Sequence, residues 1–191
     1  MTARHYETPA AFKQALEQRL RDSCESGSDL ARRRQLLVFV RFLARVSREF
    51  GDAATLKGGL AVELRLDRAR TTRDVDLRVA GSPDSILDRL HSAARRDLQD
   101  FFAFTVGPDA RHPKIQNDAA RYDGLRFRAE CTLAGKLYGR PFGVDVAFGD
   151  PMAGAPDIMD AANLLAFAGI GPPQLRVYPV CTHIAEKLHA Y

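Results

Sequence analysis

The chain has 191 residues, of which 46% are hydrophobic and 27% charged, with a formal net charge of +4 and a pI near 9.1. These values fit one medium domain, or one domain with an appendage, around a real core, and the mild basic excess is compatible with a nucleic-acid partner. No run approaches the ~18 apolar residues that span a bilayer, and the N-terminus lacks the apolar centre of a signal peptide. Cys24, Cys131 and Cys181 are odd in number and sit at no zinc-ligand spacing, which argues against a disulfide framework. A cytoplasmic protein with no membrane segment is expected.

In chain order, Phe12, Leu16 and Leu20 predict a helix over 9–23, and Gly27 with two N-cap residues, Ser28 and Asp29, precedes a longer one. Leu36, Phe39, Val40, Leu43, Val46 and Phe50 then recur at three- and four-residue steps, so that helix buries one face and runs to about residue 50. Residues 53–56 read as a short edge strand. A Gly58-Gly59 pair opens a helix over 59–66, and residues 74–79 form a β-branched strand. Pro83 suits the first turn of a helix reaching about residue 97, and the aromatic, β-branched stretch 101–106 is a strand. The polar stretch 107–124 shows no period and reads as surface loop.

Leu125, Phe127, Ala129, Cys131 and Leu133 alternate with Arg126, Arg128, Glu130 and Thr132, predicting a strand with one wet face. Residues 142–148 form another, with Phe142, Val144, Val146 and Phe148 inward and Asp145 between the small residues Gly143 and Ala147 on the other face. A loop over 149–156, a short apolar segment over 163–169, a strand over 175–178 and a helix from Val180 complete the chain. The expected class is α+β, a mixed sheet flanked by helices.

The chemistry concentrates around Gly58-Gly59 and Asp74-Val75-Asp76. Two carboxylates two residues apart on a strand share a face, while a Gly pair at a helix start leaves backbone N–H groups bare for an anion such as phosphate. A lone Asp-x-Asp is more often a pair of exposed polar positions. Asp145 on a second open strand face and Lys187 in the last helix shift that balance, because three carboxylates gain nothing by burial together unless they hold cations. The Gly pair completes neither a P-loop nor GxGxxG, and the five histidines form no metalloprotease pattern.

The stretch LKGGLAVELRLDRARTTRDVDL resembles the motif of the AbiEii-type nucleotidyltransferase toxins, including the mycobacterial MenT group. In that pattern a Gly pair and a short helix precede Arg-x-Thr-x-Asp-hydrophobic-Asp, here Gly58, Gly59, Arg70, Thr72, Asp74 and Asp76. Downstream, GVDVAFGD resembles the third-carboxylate strand and YPVCTHIAEKLHAY the lysine helix, which place Asp145 and Lys187. The resemblance implies a polymerase-β-like nucleotidyltransferase core spanning residues 1–191, with N-terminal helices over about 1–50. It implies Mg²⁺ (or Mn²⁺) on Asp74, Asp76 and Asp145, and a nucleoside triphosphate held by Gly58, Gly59, Arg70, Thr72 and Lys187. It further implies transfer of a nucleotide to the 3′ end of RNA, as in relatives that modify tRNA acceptor ends and block translation. A cognate antitoxin encoded alongside would be the partner. Family members continue into a helical C-terminal region, which is expected to be missing beyond Tyr191. Two other readings stay open: transfer to a protein side chain, and a nucleotide-binding regulatory module without turnover.

Overall fold

The computed structural model describes residues 5–66, 72–110, 114–115, 124–149, 152 and 154–189, with the backbone alone for 114–115 and 186–189. Two capped helices come first. In α1 (Pro9–Asp22) the Thr8 hydroxyl accepts the Ala11 N–H at 3.2 Å. In α2 (Gly27–Phe50) the Ser26 hydroxyl accepts the Asp29 N–H at 3.1 Å, so the cap is Ser26 and not the expected Ser28 or Asp29. Each hydroxyl satisfies a donor that the first helical turn leaves orphaned.

The strands are β1 (Ala54–Lys57), β2 (Asp74–Val79), β3 (Phe102–Pro108), β4 (Lys114–Ile115), β5 (Gly124–Leu133), β6 (Lys136–Leu137), β7 (Phe142–Phe148), β8 (Asp157–Asp160) and β9 (Gln174–Val177). They form one mixed sheet in the order β3-β5-β7-β2-β1-β9-β8, with β4 and β6 paired to β5. The helix α3 (Gly58–Glu63) links β1 to β2, α4 (Ile86–Arg95) links β2 to β3, and α5 (Val180–His189) follows β9. The mixed sheet flanked by helices is the architecture expected from the sequence.

Strand alternation divides the sheet into two faces. Val75, Leu77 and Val79 of β2 and Phe142, Val144, Val146 and Phe148 of β7 are buried. The ring of Phe142 meets Phe39 and Phe42 of α2 at centroid distances of 5.1 and 5.4 Å, both edge-on, which places α2 on that face. The opposite face carries the intervening residues, and the register lines them up. Lys57 of β1 pairs with Asp76 of β2, Asp76 with Asp145 of β7, and Asp145 with Arg126 of β5.

Three local expectations differ from the structure. The strand read as an edge at 53–56 is β1, which lies between β2 and β9, because the segment that returns after residue 173 covers its free side. The helix expected over 59–66 ends at Glu63, where the chain turns toward β2. β8 falls in a stretch with no strand pattern; it is exposed and held by its antiparallel pairing to β9. Cys131 packs in the core as its strand face requires. Among the described residues no helix is long and apolar enough to cross a membrane.

Candidate active site

The site begins where β1 ends. Gly58 turns the chain into α3 with a φ of +68°, a left-handed conformation that costs an L-residue roughly 1–2 kcal/mol. A Cβ on Gly58 would lie 2.0 Å from Asp76 Oδ2 and 2.5 Å from its Cγ, so the β1–α3 turn rests directly on the Asp76 carboxylate. β7 makes the same approach from the other side: a Cβ on Gly143 would lie 2.5 Å from Asp74 Oδ1, and the Gly143 N–H donates to that oxygen at 3.2 Å. Glycines on both flanks leave the two carboxylates room. Gly58→Ala is therefore expected to displace the Asp76 carboxylate and lower stability by about 1–3 kcal/mol. Chemical denaturation and Mn²⁺ titration of the same variant check both effects; unchanged Mn²⁺ affinity would contradict the close-approach role.

Asp76 sits where burial, the Asp145 charge and the Asp74 charge all disfavour its ionised form. These push its carboxyl up to about 6, against the opposing pull of Lys57 and the Gly59 backbone N–H. A carboxylate held in this state gains from a cation more than an isolated surface Asp does. Asp74 and Asp76 are hard oxygen donors, both half-buried on one strand face, and such donors suit a Mg²⁺-class ion. Asp145 is engaged differently. Arg126 grips it with a two-pronged pair, Nε to Oδ1 at 2.6 Å and Nη2 to Oδ2 at 2.5 Å. This bond and the Asp145 charge hold the guanidinium pKa above its ordinary value against the opposing effect of burial. Among the described residues no three His, Cys, Asp or Glu side chains already converge as a metal cluster.

Thr72 enters through two hydrogen bonds. Its N–H donates to Glu63 Oε2 at 2.9 Å and its hydroxyl to the Asp74 carbonyl at 3.3 Å, so it braces the turn into β2. Its Oγ1 also lies 3.1 Å from where a Gly59 Cβ would be. Glu63 is itself buried and accepts Arg32 Nε at 2.8 Å. The chain Arg32–Glu63–Thr72 thus ties α2 to the residue two before Asp74.

The structure brings Gly58, Gly59, Thr72, Asp74, Asp76 and Asp145 together at one end of β1, β2 and β7. Lys187 lies on α5, whose start is tied to β1 by the Tyr178 N–H donating to the Leu56 carbonyl at 2.9 Å; its side chain is outside the described part. Arg70 lies outside the described residues. Sequence reasoning missed Glu63, Lys57 and the pairing of Arg126. Glu63 had a faint signal, a lone acid in an otherwise apolar six-residue helix. Lys57 immediately precedes the Gly pair but shows no spacing of its own.

A groove of about 1090 Å³ opens beside this end of the sheet, reaching Thr72 and Arg73. Its rim carries Lys13, Arg21, Arg34 and Arg140, with Glu17 as the carboxylate among its lining residues. Arg34 and Tyr138 both donate to that carboxylate, at 2.6 and 2.8 Å. A larger hollow of about 1450 Å³ lies away from the carboxylates, against 101–104 and 168–174, and contains none of the predicted site residues.

A sequence model described as "Nucleotidyl transferase AbiEii toxin, Type IV TA system" matches residues 41–191. In structure the chain is similar to MenT4, a nucleotidyltransferase toxin from Mycobacterium tuberculosis H37Rv, with a TM-score of 0.60 and 18% identity over 96% of this chain and 58% of that one. It is also similar, at a TM-score of 0.48 and 16% identity, to JHP933 from Helicobacter pylori, over 85% of this chain and 57% of that one. No curated protein matches the sequence. The chain thus spans a little over half the length of these structures, and at such identities the likeness to MenT4 is one of fold. The family match, by contrast, takes in β1 to β9 and every carboxylate of the site, and the chain belongs to the AbiEii nucleotidyltransferase toxins of type IV toxin–antitoxin systems.

Proposed function

We propose that the chain transfers a nucleoside monophosphate from a nucleoside triphosphate to the 3′ end of RNA, with the acceptor end of tRNA as the target and a blocked translation machinery as the consequence. The observation that carries this reading is the register of two adjacent parallel strands, which sets Asp76 beside Asp145 with Asp74 on the same face, beneath a glycine turn that abuts Asp76. Asp74 and Asp76 would hold Mg²⁺ or Mn²⁺, with Asp145 as the third carboxylate. A cation bound there supplies charge neutralisation to the phosphates and makes the attacking hydroxyl more acidic.

In the reaction the RNA 3′-oxygen forms a bond to the α-phosphorus and the bond to the β-phosphate oxygen breaks, releasing pyrophosphate. Asp145 takes the hydroxyl proton. Gly58 and Gly59 keep side chains away from the triphosphate, Thr72 holds the turn that borders it, and Lys187 meets the β- or γ-phosphate as a point charge. Arg70, within the Arg-x-Thr-x-Asp pattern, is assigned a phosphate contact. The antitoxin encoded alongside would restrain this activity.

The basic groove beside Thr72 and Arg73 supports RNA as the acceptor, since its cations would track a phosphate backbone leading to the carboxylates. Combining Lys13→Ala, Arg21→Ala and Arg140→Ala is expected to weaken RNA binding and to flatten its salt dependence by about 0.7–0.9 log units per lost phosphate contact. Nucleotide affinity should be unchanged. Filter binding at several salt concentrations checks this; an unaltered slope would remove the groove from the RNA path. The reaction itself is tested by incubating the protein with each α-labelled triphosphate, Mg²⁺, total tRNA and cell extract. Label on RNA that is lost in Asp74→Ala supports the reading. Label on protein would redirect it to a side-chain acceptor, and binding without transfer would leave a regulatory module.

A further inference from the structure

The sheet face that bears the carboxylates carries a cross-strand row with a cation at each end and two neighbouring carboxylates between them: Arg126 on β5, Asp145 on β7, Asp76 on β2 and Lys57 on β1. The row is neutral as it stands. Arg126 achieves this at Asp145 by occupying both carboxylate oxygens with its fork. Asp145 is 13% exposed and Arg126 is 36% exposed, so the arginine is the wetter, solvent-facing member of the pair. Arg126 lies within electrostatic reach of Asp74 on the β2 side and of Asp109 on the β3 side as well as of Asp145.

A guanidinium fork fits a phosphate as well as a carboxylate, because both present two oxygens at matching spacing. Arg126 stands two strands from Asp76, roughly 10 Å at the usual strand spacing, a distance that a triphosphate chain covers. A divalent ion and Arg126 cannot both be close to Asp145 without repulsion, whereas a nucleotide brings in phosphate oxygens that need a cation. We infer that Arg126 is an exchangeable counter-ion: it holds Asp145 while the site is empty and moves its fork onto a phosphate of the incoming triphosphate when a divalent cation takes the carboxylate. The residue is thereby both a competitor of the metal and a ligand of the nucleotide. This rests on the reading of Asp74, Asp76 and Asp145 as the metal carboxylates.

The two roles predict effects of opposite sign. Free Mn²⁺ can be followed by electron paramagnetic resonance with the full chain and no nucleotide. Arg126→Ala is then expected to bind Mn²⁺ on the order of tenfold more tightly, a change of the size that one charge-assisted hydrogen-bonded pair can supply. With Mn²⁺ saturating, a non-hydrolysable triphosphate analogue is expected to bind the same variant about tenfold more weakly. Arg126→Gln, which keeps most of the packing stem, should show the same pair of shifts if the alanine variant folds poorly. A cross-strand structural pair would move both affinities down together or neither, and either result overturns the inference. Asp76→Asn separates the levels. If it abolishes Mn²⁺ binding while both Arg126 variants leave Mn²⁺ and nucleotide affinities unchanged, the exchange is wrong and the metal site stands. If Asp76→Asn leaves Mn²⁺ binding intact, the metal reading fails and the exchange with it.

Discussion

Asp76→Asn is expected to abolish nucleotidyl transfer and, in the absence of metal at neutral pH, to make the protein more stable than the wild type. The loss of activity follows from removing the charge that Gly58 and the β2–β7 pairing are built around; several kcal/mol of transition-state stabilisation corresponds to at least about 10³-fold in rate. The gain in stability follows from the sign of the shift. Burial and the charges of Asp145 and Asp74 raise the Asp76 carboxyl from 3.8 to about 6. Between those values the native state holds more protons than the unfolded chain, so stability falls as pH rises through this window and stays lower above it. The deficit at pH 7.5 is on the order of 3 kcal/mol. The amide is neutral throughout and keeps an oxygen for the Gly59 N–H. Urea titrations in chelator from pH 4 to 8 should show the downward slope in the wild type and its absence in the variant. With Mg²⁺ added the order should reverse, because only the wild type gains binding energy from the ion. A variant less stable than wild type at pH 7.5 in chelator would show that the carboxylates are not in conflict with one another.

Much of this site was legible before any coordinates. The alternation Val75-Asp76-Leu77-Arg78 states which face each side chain takes, and the structure reproduces it over the full span of β2. β7 behaves in the same way, with Asp145 half-shielded between buried Val144 and Val146. Period-two patterns are reliable here because each strand has one buried and one wet face. The Gly58 turn was legible only as a composition signal. Its cause, the near-contact of a would-be Cβ with Asp76, depends on β1 and β2 lying side by side.

The Arg126–Asp145 pair shows why some of the site was not legible. β5 turns through Ala134 and Gly135, both with positive φ, into β6, where Thr132 pairs with Leu137 and Leu133 with Lys136. A ribbon continued in that register would set Asp145 opposite Gly124. Residues 138–141 shift the pairing by two, and Asp145 comes to face Arg126. The shift is held from another element: Gln35 of α2 accepts the Arg140 N–H at 2.7 Å and donates to its carbonyl at 3.2 Å. Gly139, at φ +74°, passes so close to Gln35 that a Cβ would lie 2.9 Å from Oε1. A register set by a helix more than a hundred residues upstream leaves no local trace. Glu63 was hidden for a related reason, since its partners Arg32 and Thr72 come from opposite sides of it in the chain.

Asp100→Ala is expected to cost about 3–5 kcal/mol of stability while leaving the affinity for Mn²⁺ unchanged under conditions where the protein stays folded. Asp100 is fully buried and receives Arg41 Nε at 2.7 Å, Arg45 Nη1 at 2.9 Å and Arg45 Nη2 at 2.7 Å. Arg45, equally buried, also donates to the Phe102 carbonyl at 2.6 Å and the Arg41 carbonyl at 3.0 Å. Removing the carboxylate leaves two guanidinium groups in the core without an anion, and such an orphaned charge costs far more than the intact cluster contributes. Burial would raise the Asp100 carboxyl, but the hydrogen bond and charge of Arg45, together with Arg41, outweigh it and hold the group below its ordinary 3.8. Its contribution is therefore present above pH 3.8 and lost as pH falls through the lowered native value, so the wild type should lose its advantage over the variant only in strong acid. Asp100→Asn keeps an acceptor for the Phe102 N–H, which bonds Oδ1 at 3.2 Å, but supplies no charge, and is expected to recover less than half of the loss. The cluster also holds strained backbone: Gln99 and Phe101, on either side of Asp100, have φ values of 54° and 62°, which non-glycine residues rarely adopt. Without the carboxylate these residues relax, and β3, anchored to α2 through Asp100, should open before the rest of the sheet. Hydrogen exchange is expected to quicken first at Phe102–Pro108, while β7 and β2, two and three strands inward, keep their protection. Uniform loss of protection across the sheet would mean that Asp100 supports the whole core and not the β3 edge.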